Sequence, residues 1–339
     1  MSKVFKNFIG IDISKTWFDV ALIQLNNISM VIHQQFPQTA EGYYKMQQWL
    51  KHHHIFFNDE MLVCMEYTGV YNTGLVQFLV KENTPLWVEM PLRIKRASGL
   101  ERGSDDRSAA CKIAWYALRY HHQAKLWKPC DTSIERLKHL ITQRERFVNA
   151  IKHLSVPVEE LKQCGCTEDA KLLEYSQRPA IKALKKAKEK IENLIAKIVQ
   201  HDEQLCKKVK FAQSVKGIGM ITATALLVYT KGFTAFDSAK EMACYCGVVP
   251  FNKTSGSSVK YKPSVSPFAN MKLKKLLHLC AMSAIQNDAE LKLYYQRKLL
   301  EGKNKMSVIN AVRNKLIHRV FAVVRDERMF EDKYADKCA

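Results

Sequence analysis

A carboxylate stands inside one of the most apolar stretches of this chain. Phe8-Ile9-Gly10-Ile11-Asp12-Ile13 reads as a central strand, and an acidic group in such a strand is costly unless it meets a metal or a cation. Strand alternation places Gly10, Asp12 and Ser14 on one face and Ile11 and Ile13 on the other. The situation recurs in Met61-Leu62-Val63-Cys64-Met65-Glu66, where the apolar run ends in Glu66 and the turn Tyr67-Thr68-Gly69 follows. Two carboxylates at the ends of neighbouring strands can share a divalent ion. Magnesium suits them because it binds through one or two carboxylates plus substrate phosphates. Two such ions, roughly 4 Å apart, could clamp both oxygens of an in-line phosphoryl transfer. From the residues alone, Asp12 fits a structural turn residue as well as it fits a metal ligand.

Around these acids the first third alternates strands and helices. Trp17 to Leu25 and Ile28 to Phe36 read as strands joined by a turn at Asn26-Asn27, Glu41 to His52 as a helix, and Pro85 to Met90 as a further strand. A meander followed by alternating helices and strands predicts an α/β, ribonuclease-H-like mixed sheet. A helix is expected over Arg107 to Tyr120, with Asp105 or Asp106 as its cap.

The middle of the chain predicts helices. Thr132-Ser133-Ile134-Glu135 has the form of a capping box. A second helix is expected after Pro179, where Ile181, Leu184, Ile191, Ile195 and Ile198 form a stripe that suits a coiled-coil dimerisation arm or packing inside the monomer. The last third reads as helical again. Ser214-Val215-Lys216-Gly217-Ile218-Gly219 is a helix-hairpin-helix-like turn that lets backbone approach a phosphate at a helix N-terminus. Gly247 to Pro263 reads as a loop, and Lys272, Lys274 and Lys275 open another helix. The expected domains are 1–125, 126–205 (helical, coiled-coil) and 206–339 (mostly α).

Charge narrows the partners. The net charge is +20, of which residues 1–125 hold only +3 and the remainder +17. Such an excess predicts a polyanion partner, DNA or RNA. No apolar run is long enough to cross a bilayer and the start lacks a signal-peptide pattern, so a cytoplasmic protein is expected. Cys164/Cys166 and Cys244/Cys246 are the only close cysteine pairs, neither has zinc-spaced partners, and buried reduced thiols are the expectation.

Several spaced motifs resemble one family along nearly the whole chain. Phe8-Ile9-Gly10-Ile11-Asp12-Ile13-Ser14-Lys15 resembles the opening motif of the DEDD (RuvC-like) transposases of bacterial insertion sequences, the insertion-sequence family one-ten, also described as bridge-RNA-guided recombinases. Met65-Glu66-Tyr67-Thr68-Gly69-Val70-Tyr71 is similar to the second motif and Arg102 to Ala114 to the third. Gly247-Val248-Val249-Pro250 followed by Ser255-Gly256-Ser257-Ser258 is similar to the C-terminal serine signature, and the Gly217-Ile218-Gly219 turn sits where the family has one. The resemblance implies a RuvC-like domain followed by a C-terminal transposase domain. It implies a Mg²⁺ site on Asp12, Glu66 and Asp106, and a nucleophile, Ser255, that attacks the DNA phosphate. It further implies donor and target DNA as substrates, a structured guide (bridge) RNA, a homodimer or homotetramer, and a nucleoid-associated protein. Lys253 and Lys260 beside Ser255 could steady a phosphorane's charge. Nucleic-acid contacts are expected at Lys216, Gly217, Gly219, Lys253, Lys260, Lys272, Lys274 and Lys275.

The chain departs from the family at the fourth acid, whose position is Ala109. Asp105 lies on a different helical face, Ser104 stands where the family has a basic residue, and Val265 to Asn270 lacks a lysine often found there. Ala109 fits an active-site variant, since alanine is what deletion of a carboxylate leaves, or a natural copy with weakened metal binding. Impaired catalysis with retained nucleic-acid binding is expected either way. An unguided site-specific DNA invertase and a non-catalytic nucleic-acid-binding copy are the rival readings.

Overall fold

The computed structural model describes residues 4–97, 99, 106–128, 131–255, 259–266 and 268–331, leaving aside the side chains of 70, 106 and 252–262. Arg102, Ser104, Asp105 and 256–258, weighed above, lie outside the described residues. Two compact units are present, Met1–Pro129 and Cys130–Ala339.

The first unit is a mixed five-stranded sheet. Strands β1 (Asn7–Ile13), β2 (Trp17–Gln24) and β3 (Asn27–Pro37) form the expected meander, and β4 (Met61–Glu66) and β5 (Leu86–Glu89) follow helices α1 (Ala40–His52) and α2 (Thr73–Lys81). The order is β3-β2-β1-β4-β5, with β4 parallel to β1 and β5 parallel to β4. The β2–β3 hairpin turns at Leu25-Asn26, one residue earlier than Asn26-Asn27.

Strands β1, β2 and β4 are buried on both faces, which is why their sequences read as near-continuous apolar runs, whereas β3 at the sheet edge is mostly exposed. Ile9, Ile11, Val20, Leu22, Val63 and Met65 pack with Met46, Leu50, Leu75 and Leu79 of α1 and α2. Phe8, Ala21, Leu62, Cys64 and Trp87 pack on the opposite face with Ala110, Ile113, Ala114 and Ala117 of α4 (Asp106–Tyr120). The short α3 (Pro91–Ala97) precedes α4.

The second unit opens with a long antiparallel hairpin, α5 (Thr132–Gln163) and α6 (Thr167–His201). Arg144 on α5 donates to Glu192 on α6 at 2.7 Å, and Lys162 meets Glu174 at 3.0 Å nearer the turn. Two expectations change here. The cap of α5 is Asp131, which accepts from the Ser133 N–H at 2.7 Å, so Thr132 is already helical. Pro179 lies inside α6 rather than before it: a proline removes one N–H from the ladder, a loss that a 35-residue helix tolerates. The stripe divides. Ile191 and Ile195, with Val199, join Ile134, Leu137 and Ile141 in the core of this unit, whereas Ile181 and Leu184 are half-buried, and Val156, Leu172 and Tyr175 nearer the turn are exposed.

Helices α7 (Glu203–Ser214), α8 (Met220–Tyr229), α9 (Ala239–Tyr245), α10 (Met271–Asn287), α11 (Ala289–Leu300) and α12 (Lys305–Arg325) complete the unit. The stretch expected as a loop contains an antiparallel hairpin, β6 (Pro250–Ser255) and β7 (Val259–Val265). Its glycine and serines cluster at the reversal, and Val259, Tyr261 and Val265 suit extended backbone. Among the described cysteines none is in a disulfide; Cys64, Cys246 and Cys280 are buried as expected, but Cys164 and Cys166 are exposed at the α5–α6 turn.

Candidate active site

Strand register lines up four acids on one face of the first sheet. Asp12 on β1 is level with Asp19 on β2, and Glu66 on β4 is level with Glu89 on β5. Because Ile11 lies beside Met65 in the parallel β1–β4 pair, Asp12, next to last in β1, and Glu66, last in β4, fall side by side one step further along. The row therefore reads Asp19, Asp12, Glu66, Glu89.

The face is the one that α4 covers. A Cβ on Gly10 would come 2.2 Å from the Ala114 nitrogen and 2.3 Å from the Ala110 carbonyl oxygen, so only glycine lets α4 lie on β1. Phe8, two residues earlier, meets His121, just past α4, at 5.5 Å between ring centroids. The helix thus runs antiparallel to β1, and its first turn, which begins with Asp106 and includes Ala109, falls at the Asp12 end of the strand.

The outer acids are already engaged. Asp19, 5% exposed, meets the His33 ring at 2.8 Å and accepts from Gln35 at 3.0 Å. Glu89, 7% exposed, accepts from the Met90 N–H at 2.8 Å and from the Tyr116 hydroxyl at 3.3 Å. Burial and then the Glu89 charge push Tyr116 up to about 12. Cys64, on the same face, is held well above the usual thiol range by burial and by Glu89 and Glu66, so it is an inert thiol.

The inner acids are less deeply buried. Both are half-buried, and the Glu66 carboxyl is raised by burial and then by the Asp12 charge. Two carboxylates that disfavour each other's ionised form are a place where a divalent cation gains most. Among the described residues no three His, Cys, Asp or Glu side chains converge closely enough to hold a metal ion; the described part of the site is a pair.

A residue not singled out from the sequence fixes this pair. Asn72, 4% exposed, accepts from the Thr68 N–H at 2.6 Å and the Thr68 hydroxyl at 2.8 Å, and its amide donates to the Glu66 carbonyl at 2.7 Å. It locks the turn that leaves β4. In the sequence an asparagine just ahead of an apolar helix reads as an ordinary cap, which hides this role.

The remaining expected residues lie in the second unit. Ser255 ends β6 opposite Val259, with Lys253 opposite Tyr261 and Lys260 opposite Thr254. Lys216 and Lys275 are exposed, while Lys272 is paired with Glu145 at 2.6 Å. Gly217 has φ +93°, and a Cβ there would come 2.7 Å from the Cys280 carbonyl oxygen, so the backbone of α10, rather than a phosphate, explains this glycine. Gly219 precedes α8 with nothing within 4 Å of its Cβ position, and its backbone hydrogen-bonds the Cys280 thiol.

Residues 9–161 match a family described as Transposase, and residues 209–296 match the Transposase IS116/IS110/IS902 family. The chain belongs to the IS110 family of transposases. The transposase is 25% identical to the Pilin gene-inverting protein of Moraxella lacunata over 97% of its own length and 98% of that protein. It is 30% identical to the Insertion element IS110 uncharacterized 43.6 kDa protein of Streptomyces coelicolor over 35% of its length and 29% of that protein. Among solved structures it is similar to T. thermophilus RuvC in complex with Holliday junction substrate, at a TM-score of 0.27 and 12% identity, over 36% of this chain and 99% of that one. Members of the family are DNA recombination enzymes, which work by phosphoryl transfer on DNA. Among the described residues no helix is long and apolar enough to cross a membrane.

Proposed function

We propose that this transposase cuts and rejoins DNA at the ends of a mobile element and at its target, with Asp12, Glu66 and Asp106 as the magnesium-holding acids and Ser255 as the nucleophile. The observation that carries this reading is the Asp12–Glu66 pair, two coupled carboxylates side by side at the ends of parallel strands. Bound magnesium would supply charge neutralisation for a DNA phosphate brought to these acids. The Ser255 hydroxyl, giving up its proton, attacks a DNA phosphorus; a serine–phosphate bond forms as the P–O bond to the departing strand breaks and that oxygen leaves as a protonated hydroxyl, so one phosphodiester replaces another and rejoining stays possible. The +17 charge beyond residue 125 suits DNA together with a structured guide RNA. The exposed apolar side chains near the α5–α6 turn suit a homodimer joined through that hairpin.

Strand exchange measured on element-end DNA tests the reading. Asp12→Asn and Ser255→Ala should each abolish it, Ser255→Ala should also lose the covalent protein–DNA adduct, and a chelator should silence the unmodified protein. Exchange that survives either substitution overturns that residue's role. A second reading, DNA inversion without a guide, is favoured by the full-length match to a pilin gene-inverting protein. Sequencing the RNA that copurifies with the chain separates the two: a single structured RNA supports guidance, and random RNA that washes off in moderate salt supports the invertase.

A further inference from the structure

Two arginines of α12, one buried and one half-buried, have opposite surroundings. Arg319 donates to Asp288 and to Glu290, each at 2.6 Å. Arg313, 6% exposed, meets no carboxylate among the described residues. Its Nη2 donates to Nδ1 of His278, its Nη1 reaches the Asn310 oxygen only at 3.4 Å, and its Nε is buried with no partner. A guanidinium does not give up its proton in such a place, and a buried cation with no counter-charge is strongly disfavoured. Burial is what lowers the Arg313 pKa, and His278 is lowered by burial and then by Arg313, so no anion among the described residues balances either group. Since arginine can only donate, His278 must accept at Nδ1, which makes it neutral and leaves its Nε2–H as a further donor.

The surroundings place this cation at the root of the serine hairpin. Asn310, one turn before Arg313, donates to the Val248 carbonyl at 2.7 Å and so ties α12 to the turn that leads into β6. Gly247 starts that turn at φ +70°, with the Lys274 side chain 3.5 Å from its Cβ position. Lys274 lies one helical turn before His278 on α10, and both are half-buried, so this side of α10 meets solvent beside Arg313. We propose that Arg313, with His278 and Lys274, forms a binding site for a phosphodiester oxyanion of DNA at the base of the β6–β7 hairpin. The assignment to DNA rests on the reading of Ser255 as nucleophile; the anion site rests on Arg313.

The test compares the full-length protein with Arg313→Met and with Lys292→Met, which removes the same charge from an exposed position on α11. Thermal midpoints are read in inorganic phosphate against chloride at matched ionic strength, and affinity for an element-end duplex is read across a salt series. Arg313→Met should fold with a midpoint at or above that of the unmodified protein without phosphate, because an uncompensated charge is gone. It should lose most of the phosphate-dependent rise, bind the duplex about tenfold more weakly, and lower the salt slope by about one; Lys292→Met should keep the phosphate response. Equal phosphate responses in all three proteins overturn the site. A lost phosphate response with unchanged duplex affinity overturns the assignment to DNA. Where Arg313→Met does not fold, Lys274→Met reads the same rim, and an unchanged phosphate response there overturns the proposal. Loss of the Ser255 adduct is scored separately, so failure of the nucleophile reading leaves the phosphate result standing.

Discussion

Gly10 and Ala114 are in backbone contact: a Cβ on Gly10 would lie 2.2 Å from the Ala114 nitrogen. The neighbours are helix backbone and cannot rotate away, so α4 must lift to accept any side chain. Gly10→Val should destabilise the first unit by about 3 kcal/mol or more, seen as a lower urea midpoint. It should also weaken metal-dependent strand exchange, because the first turn of α4 moves with the helix. A loss below about 1 kcal/mol would mean that α4 is not held this closely.

The same glycine marks what the sequence could and could not reveal. The strand run around Asp12 was legible because burial on both faces leaves a continuous apolar pattern, and β4 was legible to the residue for the same reason. The pairing of Asp12 with Glu66 followed from two similar apolar runs, one with an acid inside it and one ending in an acid. The alignment of Asp19 and Glu89 with them was not legible, since register is set by long-range pairing that no local pattern encodes. The hairpin at Pro250–Val265 was hidden by its own composition, in which proline, lysine and serine mimic a loop. Arg313 was invisible as a buried group because α12 carries Lys315, Arg319 and Arg325 as well, and periodicity does not tell a paired cation from an unpaired one.

Asp12 raises the Glu66 carboxyl, and burial raises it further. A carboxyl raised in the folded state binds protons more readily there than in the unfolded chain, so its ionisation opposes folding. The cost is present at neutral pH and is relieved as pH falls through the raised value. Asp12→Asn removes the charge contribution. Without metal, its thermal midpoint relative to that of the unmodified protein should be higher at pH 7 than where Glu66 is protonated, a gain that shrinks as pH falls. A gain that stays constant across the acid range would show that the two carboxylates are not coupled.

Asn72 satisfies three groups in the turn after Glu66. Asn72→Ala leaves the Thr68 N–H and the Glu66 carbonyl without their partner, at a cost of about 2 kcal/mol. Its effect on the site is positional. The metal concentration for half-maximal strand exchange should rise by more than the maximal rate falls. A purely structural role would lower the amount of active protein and leave that concentration where it was.

Arg319 neutralises Asp288, which is 1% exposed and also caps α11 by accepting from the Leu291 N–H at 2.9 Å. Arg319→Met strands a buried carboxylate and should cost about 3–5 kcal/mol. Asp288→Asn added to that variant should recover part of the loss, since asparagine keeps an oxygen for the cap without the charge. Denaturant midpoints of the two single variants and the double variant give the coupling; additive losses would mean that the pair is worth nothing beyond its separate parts.

Ala109 is half-buried in the first turn of α4, three residues after Asp106 and next to Ala110, which meets Gly10. A carboxylate at this point is tolerated by the helix itself, because the N-terminal turn favours negative charge by roughly 0.3–1 kcal/mol. Placed on the helix end that lies at the Asp12 end of β1, it adds a ligand to a site whose described part is only two acids. Ala109→Asp should therefore change the metal-free thermal midpoint little, raise the midpoint in magnesium through preferential binding to the folded state, and increase strand exchange. Tighter magnesium binding without more exchange would put the limit on catalysis elsewhere than at the missing acid. An unchanged magnesium response would mean that position 109 does not belong to the metal site at all.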